Sequence, residues 1–226
     1  MHRSSLEGKD HFSLMSFLPH FINIFLPPNV TLSCLPRVVP KLTEAFSDTH
    51  PKVKTSAREA LEQICKVIRN PEVSEISLDL LQALTDPSNA TIQALESLIE
   101  TEFLHAIDAP SLALIVPVLH RGLRDRAATA KRYGALIAGN ICTMINDPRD
   151  FVPYLPTLLP DLKVVLLDPI PDCRSTSAKA LGSLTRSLGE ATFPEVSSMH
   201  TFDPIFNTLK TMLTLKLIFS TSFDLG

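Results

Sequence analysis

The chain contains no tryptophan, 2 tyrosines and only 7 glycines in 226 residues. Loops that bind nucleotide phosphates depend on glycine at fixed spacing, and neither G-x-x-x-x-G-K-[ST] nor G-x-G-x-x-G occurs in the sequence. The G-x-S-x-G turn of hydrolases is absent as well. These absences exclude the common nucleotide-binding and hydrolase motifs. We therefore predict a protein that is not an enzyme, with no catalytic residues and no small-molecule substrate.

Cysteine is also scarce, and its spacing argues against metal binding. The four cysteines form no C-x-x-C pair, and no histidine and cysteine stand at the spacing of zinc ligands. They are Cys34, Cys65, Cys142 and Cys173. We expect them to be reduced thiols, with Cys65 and Cys142 on apolar helix faces, and we predict neither a metal nor a cofactor.

Charge of one sign does not dominate, because the formal net charge at pH 7 is −3. A contact with nucleic acid would therefore need a local basic cluster. The carboxylates Asp147, Asp150, Asp161 and Asp168 are spread along predicted turns and helix faces. This distribution favours solvated side chains over a paired acid and base. His120 is likewise predicted to be a surface group.

A long apolar run is missing too. The most apolar stretch near the N-terminus, residues 12–28, is interrupted by Pro19, His20 and Asn23. It is shorter than the roughly 20 apolar residues that cross a bilayer. We predict no membrane partner.

What the sequence does contain is a pattern that recurs four times. Four aspartates, separated by 38, 39 and 43 residues, are its anchors: Asp48, Asp86, Asp125 and Asp168. An apolar residue lies ten, six and two positions before each anchor, and a proline lies eight positions before three of them. A period near 40 residues with two helices per unit is typical of HEAT and armadillo repeats. We therefore predict an all-α fold, an α-α superhelix whose hairpins bury their apolar faces by stacking on one another.

This register divides the chain into three parts. Residues 1–31 are predicted to be an irregular or partly helical extension, residues 32–195 the repeat array, and residues 196–226 a divergent tail. The four units of the array are expected at about 32–70, 71–107, 108–149 and 150–190. Because the apolar tail would be a poor cap for a solenoid, we expect the chain to be a piece of a longer protein.

Apolar residues at helical spacing predict which side chains are buried. In the second helix of unit two, Ile92, Leu95 and Leu98 are expected to face the core. In the second helix of unit four, Leu181 lies on the expected buried stripe. An aspartate placed at Leu181 should therefore unfold the array locally.

One cluster of charge stands above the background. The segment HRGLRDRAATAKR, residues 120–132, carries one acid, Asp125, and five basic side chains. These five are the candidate partner-contact residues: Arg121, Arg124, Arg126, Lys131 and Arg132. In a net acidic chain such a cluster suits phosphate groups or an acidic protein surface. The alternative is a solvated turn with internal ion pairs.

Basic residues also recur six positions after three of the anchors, as Lys54, Lys131 and Arg174. Each is expected early in the second helix of its unit, near an anchor aspartate. This placement predicts a ladder of ion pairs between neighbouring turns. Exposed pairs of this kind contribute only about 0 to 1 kcal/mol each.

Four runs of sequence resemble one known family. In chain order over residues 32–195 they are CLPRVVPKLTEAFSDTHPKV, VIRNPEVSEI, FLHAIDAPSLALIVPVLHRGLRDR and YLPTLLPDLKVVLLDPIPDCRSTSAKALGSL. They resemble the general control non-derepressible translational activators, called ILITYHIA in plants, in the segment of that family that is similar to elongation factor three. They resemble the HEAT region of fungal elongation factor three itself more distantly.

The resemblance implies a cytoplasmic, ribosome-associated HEAT-repeat scaffold. Such a scaffold would support activation of the initiation factor two alpha kinase in the amino-acid starvation branch of the integrated stress response. The resemblance also implies the ribosome and an ABC-type ATPase as partners. The stress kinase would be reached only indirectly, because the kinase-binding region of the family lies further toward the C-terminus. The alternative is a generic HEAT-repeat adaptor in transport or the cytoskeleton, which binds proteins but not ribosomes.

Overall fold

The computed structural model describes residues 28–188, with side chains from residue 34 onward. Nine α-helices lie in this range: α1 (Pro28–Ala45), α2 (Pro51–Lys66), α3 (Pro71–Glu75), α4 (Ser77–Thr85), α5 (Pro87–Glu100), α6 (Ala109–Leu123), α7 (Ala128–Ile141), α8 (Leu155–Leu166) and α9 (Pro171–Leu188). Two short 3₁₀ turns, Pro148–Asp150 and Val152–Tyr154, precede α8. Residues 28–188 contain no strand, only one isolated bridge between Ile107 and Ile145. The predicted all-α class is confirmed.

Local sequence explains where the helices begin. Asn70 precedes α3, and its side-chain oxygen accepts a hydrogen bond from the Val73 amide at 2.7 Å. Asp108 does the same for α6 by accepting from the Ser111 amide at 3.2 Å. These contacts satisfy amides that have no acceptor within the helix. Proline, whose missing amide hydrogen is harmless at this position, is the first residue of α2, α3, α5 and α9: Pro51, Pro71, Pro87 and Pro171.

The anchor aspartates turn the chain between the two helices of a unit. The side chains of Asp48, Asp125 and Asp168 each accept a hydrogen bond from the amide two residues further on, at 2.7, 2.7 and 2.9 Å. This is an Asx turn, which short acidic side chains form readily. Asp86 differs in that α5 begins at the next residue, Pro87, whereas two residues separate each of the other anchors from its helix. Its carboxylate accepts from the Asn89 side chain at 2.8 Å instead.

Neighbouring units are joined by contacts that repeat at nearly the period of the sequence pattern. The Arg69 amide donates to the Asp108 carboxylate at 2.8 Å across 39 residues. The Asn70 side chain donates to the His105 carbonyl at 3.2 Å across 35 residues. The Ile107 amide donates to the Met144 carbonyl at 3.0 Å. Each connection between units therefore lies against the next one, as expected for a HEAT-type solenoid, and this fold is confirmed.

One contact departs from strict stacking on the nearest neighbour. Helix α1 packs on α2 but also on α6, the first helix of the expected third unit. Between them, the first helical segment of unit two is broken at Ile76 into α3, with 5 residues, and α4, with 9. At 1.5 Å per residue α4 is about 14 Å long, whereas the 15-residue α6 is about 22 Å long. The shorter helix cannot cover α6, which leaves room for α1.

The core follows the predicted stripes with one exception. Leu95, Leu98 and Leu181 are buried, as expected. Ile92 is 38% exposed, so its predicted core position is wrong. In α5 the buried stripe runs through Thr91 and Leu95, and the next residue along the chain is rotated by about 100° away from that face. The limits of the four units stay a prediction, and the expected extension up to residue 27 and tail at 196–226 lie outside the described residues.

Helices α7 and α9 approach each other closely at a glycine. A Cβ atom at Gly139 would lie 2.9 Å from the Cα of Ala180, nearer than side chains tolerate. On α9 itself, a Cβ at Gly182 would have no described atom within 4 Å. The first glycine is required by packing between helices, and the second is not.

We expect Gly139→Ala to lower the melting temperature and Gly182→Ala to raise it, although both changes favour helix. Alanine in place of a helical glycine is worth about 0.5–1 kcal/mol. At position 139 this gain is outweighed, because pushing against the backbone of Ala180 costs about 1–3 kcal/mol. Thermal unfolding followed by circular dichroism compares the two variants directly. Shifts of the same sign would contradict the close approach of α7 and α9.

Candidate functional site

The basic segment, residues 120–132, spans the end of α6, a tight turn and the start of α7. Helix α6 ends at Leu123, and the amides of Arg124 and Asp125 return to carbonyls of its last turn. The Asp125 carboxylate then accepts from the Ala127 amide at 2.7 Å and starts the reversal into α7. The fold thus brings the five candidate residues to one edge of a single hairpin.

Arg121 points inward. Its Nη1 donates to the Ala83 carbonyl of α4 at 2.8 Å, which ties unit three to unit two across 38 residues. Burial lowers the pKa of its guanidinium below the usual range for arginine. An arginine that holds a carbonyl in this way is a poor candidate for partner binding.

Lys131 is engaged in an ion pair with the next unit. Its Nζ lies 2.7 Å from the Asp168 carboxylate, with the two side chains only 23% and 5% exposed. The hydrogen bond from Lys131, followed by one from the Ile170 amide, holds the pKa of Asp168 below its ordinary value. Arg174 donates to the carbonyls of Asp168 and Pro169 at 2.9 and 2.8 Å. Within the described residues this is the rung that the predicted ladder forms, and Asp168 is buried rather than solvated as expected.

We expect Asp168→Asn to lower the melting temperature at neutral pH, because asparagine keeps the acceptor for the Ile170 amide but cannot pair with Lys131. The pKa of Asp168 is lower in the folded than in the unfolded chain. Its stabilising contribution is therefore present above the unfolded pKa and is lost as the pH falls through the folded pKa. Melting curves at a series of pH values should show the variant and the wild type converging in acid.

The matched control is Asp125→Asn. Asp125 forms the same type of turn by accepting from the Ala127 amide, and no ion pair joins it to another described residue. This change should leave the melting temperature nearly unaltered across the pH series. Equal effects of the two substitutions would show that the Lys131 pair does not stabilise the fold.

His120 and Asp161 form a second link between units three and four. The His120 Nδ1 lies 2.5 Å from the Asp161 carboxylate, across 41 residues. Asp161 is buried and His120 is about one third exposed. The prediction of a solvated carboxylate is therefore wrong for Asp161, because the period of the repeat brings the two side chains together between α6 and α8. His120 is partly exposed, and it pairs with Asp161.

The remaining three candidate residues are exposed and form what we call the exposed arginine triplet, Arg124, Arg126 and Arg132. Arg124 caps α6, Arg126 lies in the turn, and Arg132 is on α7. The Arg132 guanidinium stacks over the ring of Tyr133 at 5.5 Å from the ring centre, which limits its motion. Three exposed cations that form no ion pair with another described residue can receive anionic groups from a partner.

No group of histidine, cysteine and carboxylate side chains able to hold a metal ion is found within residues 28–188. Cys65, Cys142 and Cys173 are free thiols. Cys142 is buried and Cys65 half-buried, and burial raises the pKa of each thiol to about 11. In the same part of the chain, none of the helices combines the length and apolar character needed to span a bilayer.

Sequence reasoning did not find a groove between α2 and α4. Its volume is about 460 Å³, and its lining includes Arg58, Leu81 and Asp86. At its rim Leu78 is 74% exposed. The only signal in the sequence was indirect: Leu78 stands where the other three units have a proline.

Comparison with known proteins connects these features to a family. The family profile described as "Elongation factor 3/GNC1 HEAT repeat" matches residues 89–195. Protein ILITYHIA of Arabidopsis thaliana is 48% identical over 192 residues, which cover 82% of this chain and 7% of that protein. Stalled ribosome sensor GCN1 of Homo sapiens is 47% identical over 172 residues, or 76% of this chain and 6% of that protein. Elongation factor 3 of Pneumocystis carinii is 32% identical over 184 residues, which cover 79% of this chain and 17% of that protein.

Proposed function

This chain belongs to the GCN1/ILITYHIA family of HEAT-repeat proteins, and we propose that it is a non-catalytic scaffold segment that binds the ribosome. The chain spans only 6 to 7% of the length of ILITYHIA and the human GCN1 protein. Ribosome binding, support of the initiation factor two alpha kinase and a cytoplasmic location are therefore proposed for this chain. The names of its relatives, a stalled ribosome sensor and an activator of that kinase, support a role in regulating translation.

The exposed arginine triplet is the observation that carries the proposal. Arg124, Arg126 and Arg132 are exposed within one turn and the start of one helix. Ribosomal RNA presents a dense array of phosphates, and arginine binds phosphate through two parallel hydrogen bonds. Cations held on a rigid hairpin bind such an array without ordering a flexible chain first.

The stacked units supply that rigidity. Arg121 fixes α6 to α4, and the Lys131 pair with Asp168 fixes the start of α7 to the following turn. Two of the five basic residues thus hold the frame, while three face the solvent. The separation of structural from exposed basic residues supports a binding surface, and binding of this kind requires no catalysis.

Two further partners follow from the family. Elongation factor three is similar to this chain, and the ABC-type ATPase that the resemblance implies would be a protein partner of the array. The stress kinase would be influenced only indirectly through this segment. Both contacts are proposed on surfaces other than the exposed arginine triplet, which is assigned to the ribosome.

The test is co-sedimentation of the intact chain with purified ribosomes at increasing salt. The chain should pellet with ribosomes at low salt and be released as salt rises, because each phosphate contact releases a counterion. Added RNA should compete with the ribosomes. A chain that stays in the supernatant at low salt would overturn the proposal.

A second candidate function, that of a generic HEAT-repeat adaptor, is favoured by the groove between α2 and α4. Leu78 is 74% exposed at its rim, and protein partners commonly cover apolar side chains of this kind. Affinity purification followed by mass spectrometry separates the two. Recovery of transport or cytoskeletal proteins without ribosomal proteins would favour the adaptor.

A further inference from the structure

The basic segment places two arginines before one hydroxyl at a regular spacing. Arg126 lies three residues and Arg124 five residues before Thr129, in the order R-x-R-x-x-T. All three side chains are exposed. A protein kinase whose substrate groove carries carboxylates selects arginines at such positions through complementary charge. We propose that Thr129 is a phosphorylation site for an arginine-directed protein kinase, and that its phosphate switches off polyanion binding by the exposed arginine triplet. The switch rests on the proposed function, whereas the site does not.

The hydroxyl of Thr129 is available for this reaction. Other helical threonines of the chain, such as Thr55 and Thr176, donate their hydroxyls to the carbonyl four residues earlier, at 3.1 and 2.8 Å. Four residues before Thr129 the chain is still in the turn, at Asp125. Accordingly Thr129 makes no side-chain hydrogen bond with any residue in the range 28–188.

Two other hydroxyls in the described range follow a basic residue by three positions, and neither fits as well. Ser177 follows Arg174 but is fully buried, and its hydroxyl donates to the Leu162 carbonyl at 2.6 Å. Thr55 is exposed but follows a lysine, has His50 at the second position, and uses its hydroxyl within the helix. Thr129 alone in this range combines two arginines with a free, exposed hydroxyl.

The backbone around Thr129 can enter an extended substrate groove. Thr129 is the second residue of α7, whose preceding residue, Ala127, provides no side-chain cap. The first helical hydrogen bond of this end is donated by Lys131 to the Ala127 carbonyl. Amides before it have no acceptor within the helix, so opening this first turn breaks fewer hydrogen bonds than opening α7 further along. After transfer, those same amides favour the phosphate.

The reaction balances with a nucleoside triphosphate as the phosphoryl donor. The Thr129 oxygen forms a bond to the γ-phosphorus, the bond from that phosphorus to the bridging oxygen breaks, and nucleoside diphosphate leaves. The hydroxyl proton passes to a carboxylate of the kinase. The product carries a charge of about −1.5 to −2 at pH 7. The three exposed arginines and Asp125 sum to a charge of +2, so the phosphate nearly cancels it.

The site is tested by incubating the intact chain with ATP and a purified arginine-directed kinase, then mapping phosphate by tandem mass spectrometry. We expect one phosphate on Thr129, lost in Thr129→Ala, kept in Thr129→Ser, and kept in Thr55→Ala as the matched exposed control. Arg126→Ala should remove most of the modification. Phosphate on other residues, or none, overturns the site.

The switch is tested by comparing phosphorylated and unmodified chain in the ribosome co-sedimentation assay. The phosphorylated chain should bind less tightly. The negative slope of log affinity against log salt should become shallower by about two. Phosphate on Thr129 with an unchanged slope overturns the switch. Failure of the unmodified chain to bind ribosomes overturns the proposed function and the switch together. The tandem mass spectra still test, independently, whether Thr129 is the phosphorylation site.

Discussion

Replacing Leu181 with aspartate is expected to produce the largest loss of stability. Leu181 lies on α9 and is only 4% exposed. The buried stripe of α9, as far as the structure describes it, contains no cation to pair with a carboxylate at this position, and burying one costs several kcal/mol. Domains are stable by only about 5–15 kcal/mol in total. We therefore expect the melting temperature to fall by about 6 °C or more, or the array to unfold at its C-terminal end.

Leu104→Asp is the matched control. Leu104 is 76% exposed in the connection before α6, so the same change there buries no charge. Its melting temperature should stay close to that of the wild type, as is usual for surface substitutions. Circular dichroism and limited proteolysis measure both variants. If Leu181→Asp melted like Leu104→Asp, the buried face assigned to α9 would be wrong.

Reversing the charge of the exposed arginine triplet should have the largest effect on binding. In the triple variant Arg124→Glu, Arg126→Glu, Arg132→Glu, three cations that are free to meet phosphates become anions. Each lost phosphate contact makes the negative slope of log affinity against log salt shallower by about one. The slope should therefore become shallower by about three. Ribosome co-sedimentation at several salt concentrations measures this slope. Arg121 is left in place, because its bond to the Ala83 carbonyl holds the frame.

The control for that variant carries the same change in net charge at another place. Lys52, Lys54 and Lys66 are exposed on α2, and all three can be changed to glutamate. If binding depends on the exposed arginine triplet, this control should keep most of the salt slope. An equal loss of salt dependence in both variants would show that binding depends on the net charge of the chain and not on the exposed arginine triplet. An unchanged slope in the arginine variant, with an unchanged melting temperature, would remove the triplet from ribosome binding.

Predictions for the fold succeeded where local pattern determines structure. The anchor aspartates do form turns, as Asp48, Asp125 and Asp168 show, because an Asx turn needs only residues close in the chain. The buried stripes followed from helical periodicity, except at Ile92. In α5 the helical periodicity is compatible with burial of either Thr91 or Ile92, which lie on neighbouring faces. Packing of the helix buries the face that carries Thr91.

Predictions for the site succeeded less completely, because the sequence cannot say which charges meet. Arg121 and Arg124 stand three residues apart on what sequence alone treats as one face. The first reaches the Ala83 carbonyl and the second stays exposed. In the sequence Asp161 is indistinguishable from a solvated carboxylate, but in the structure His120 of α6 contacts it.

Taken by itself, the sequence determined the repeat, its period, the class of the fold and the presence of one basic segment. These properties depend on spacing along the chain, which helix geometry converts directly into faces and turns. Only the tertiary structure decided which cations of that segment are free. Lys131, Arg121 and His120 contact neighbouring units, each through a residue 37 to 41 positions away in the sequence. A side chain that pairs with a neighbouring unit is not available to a binding partner, and no local pattern reveals whether such a pair will form.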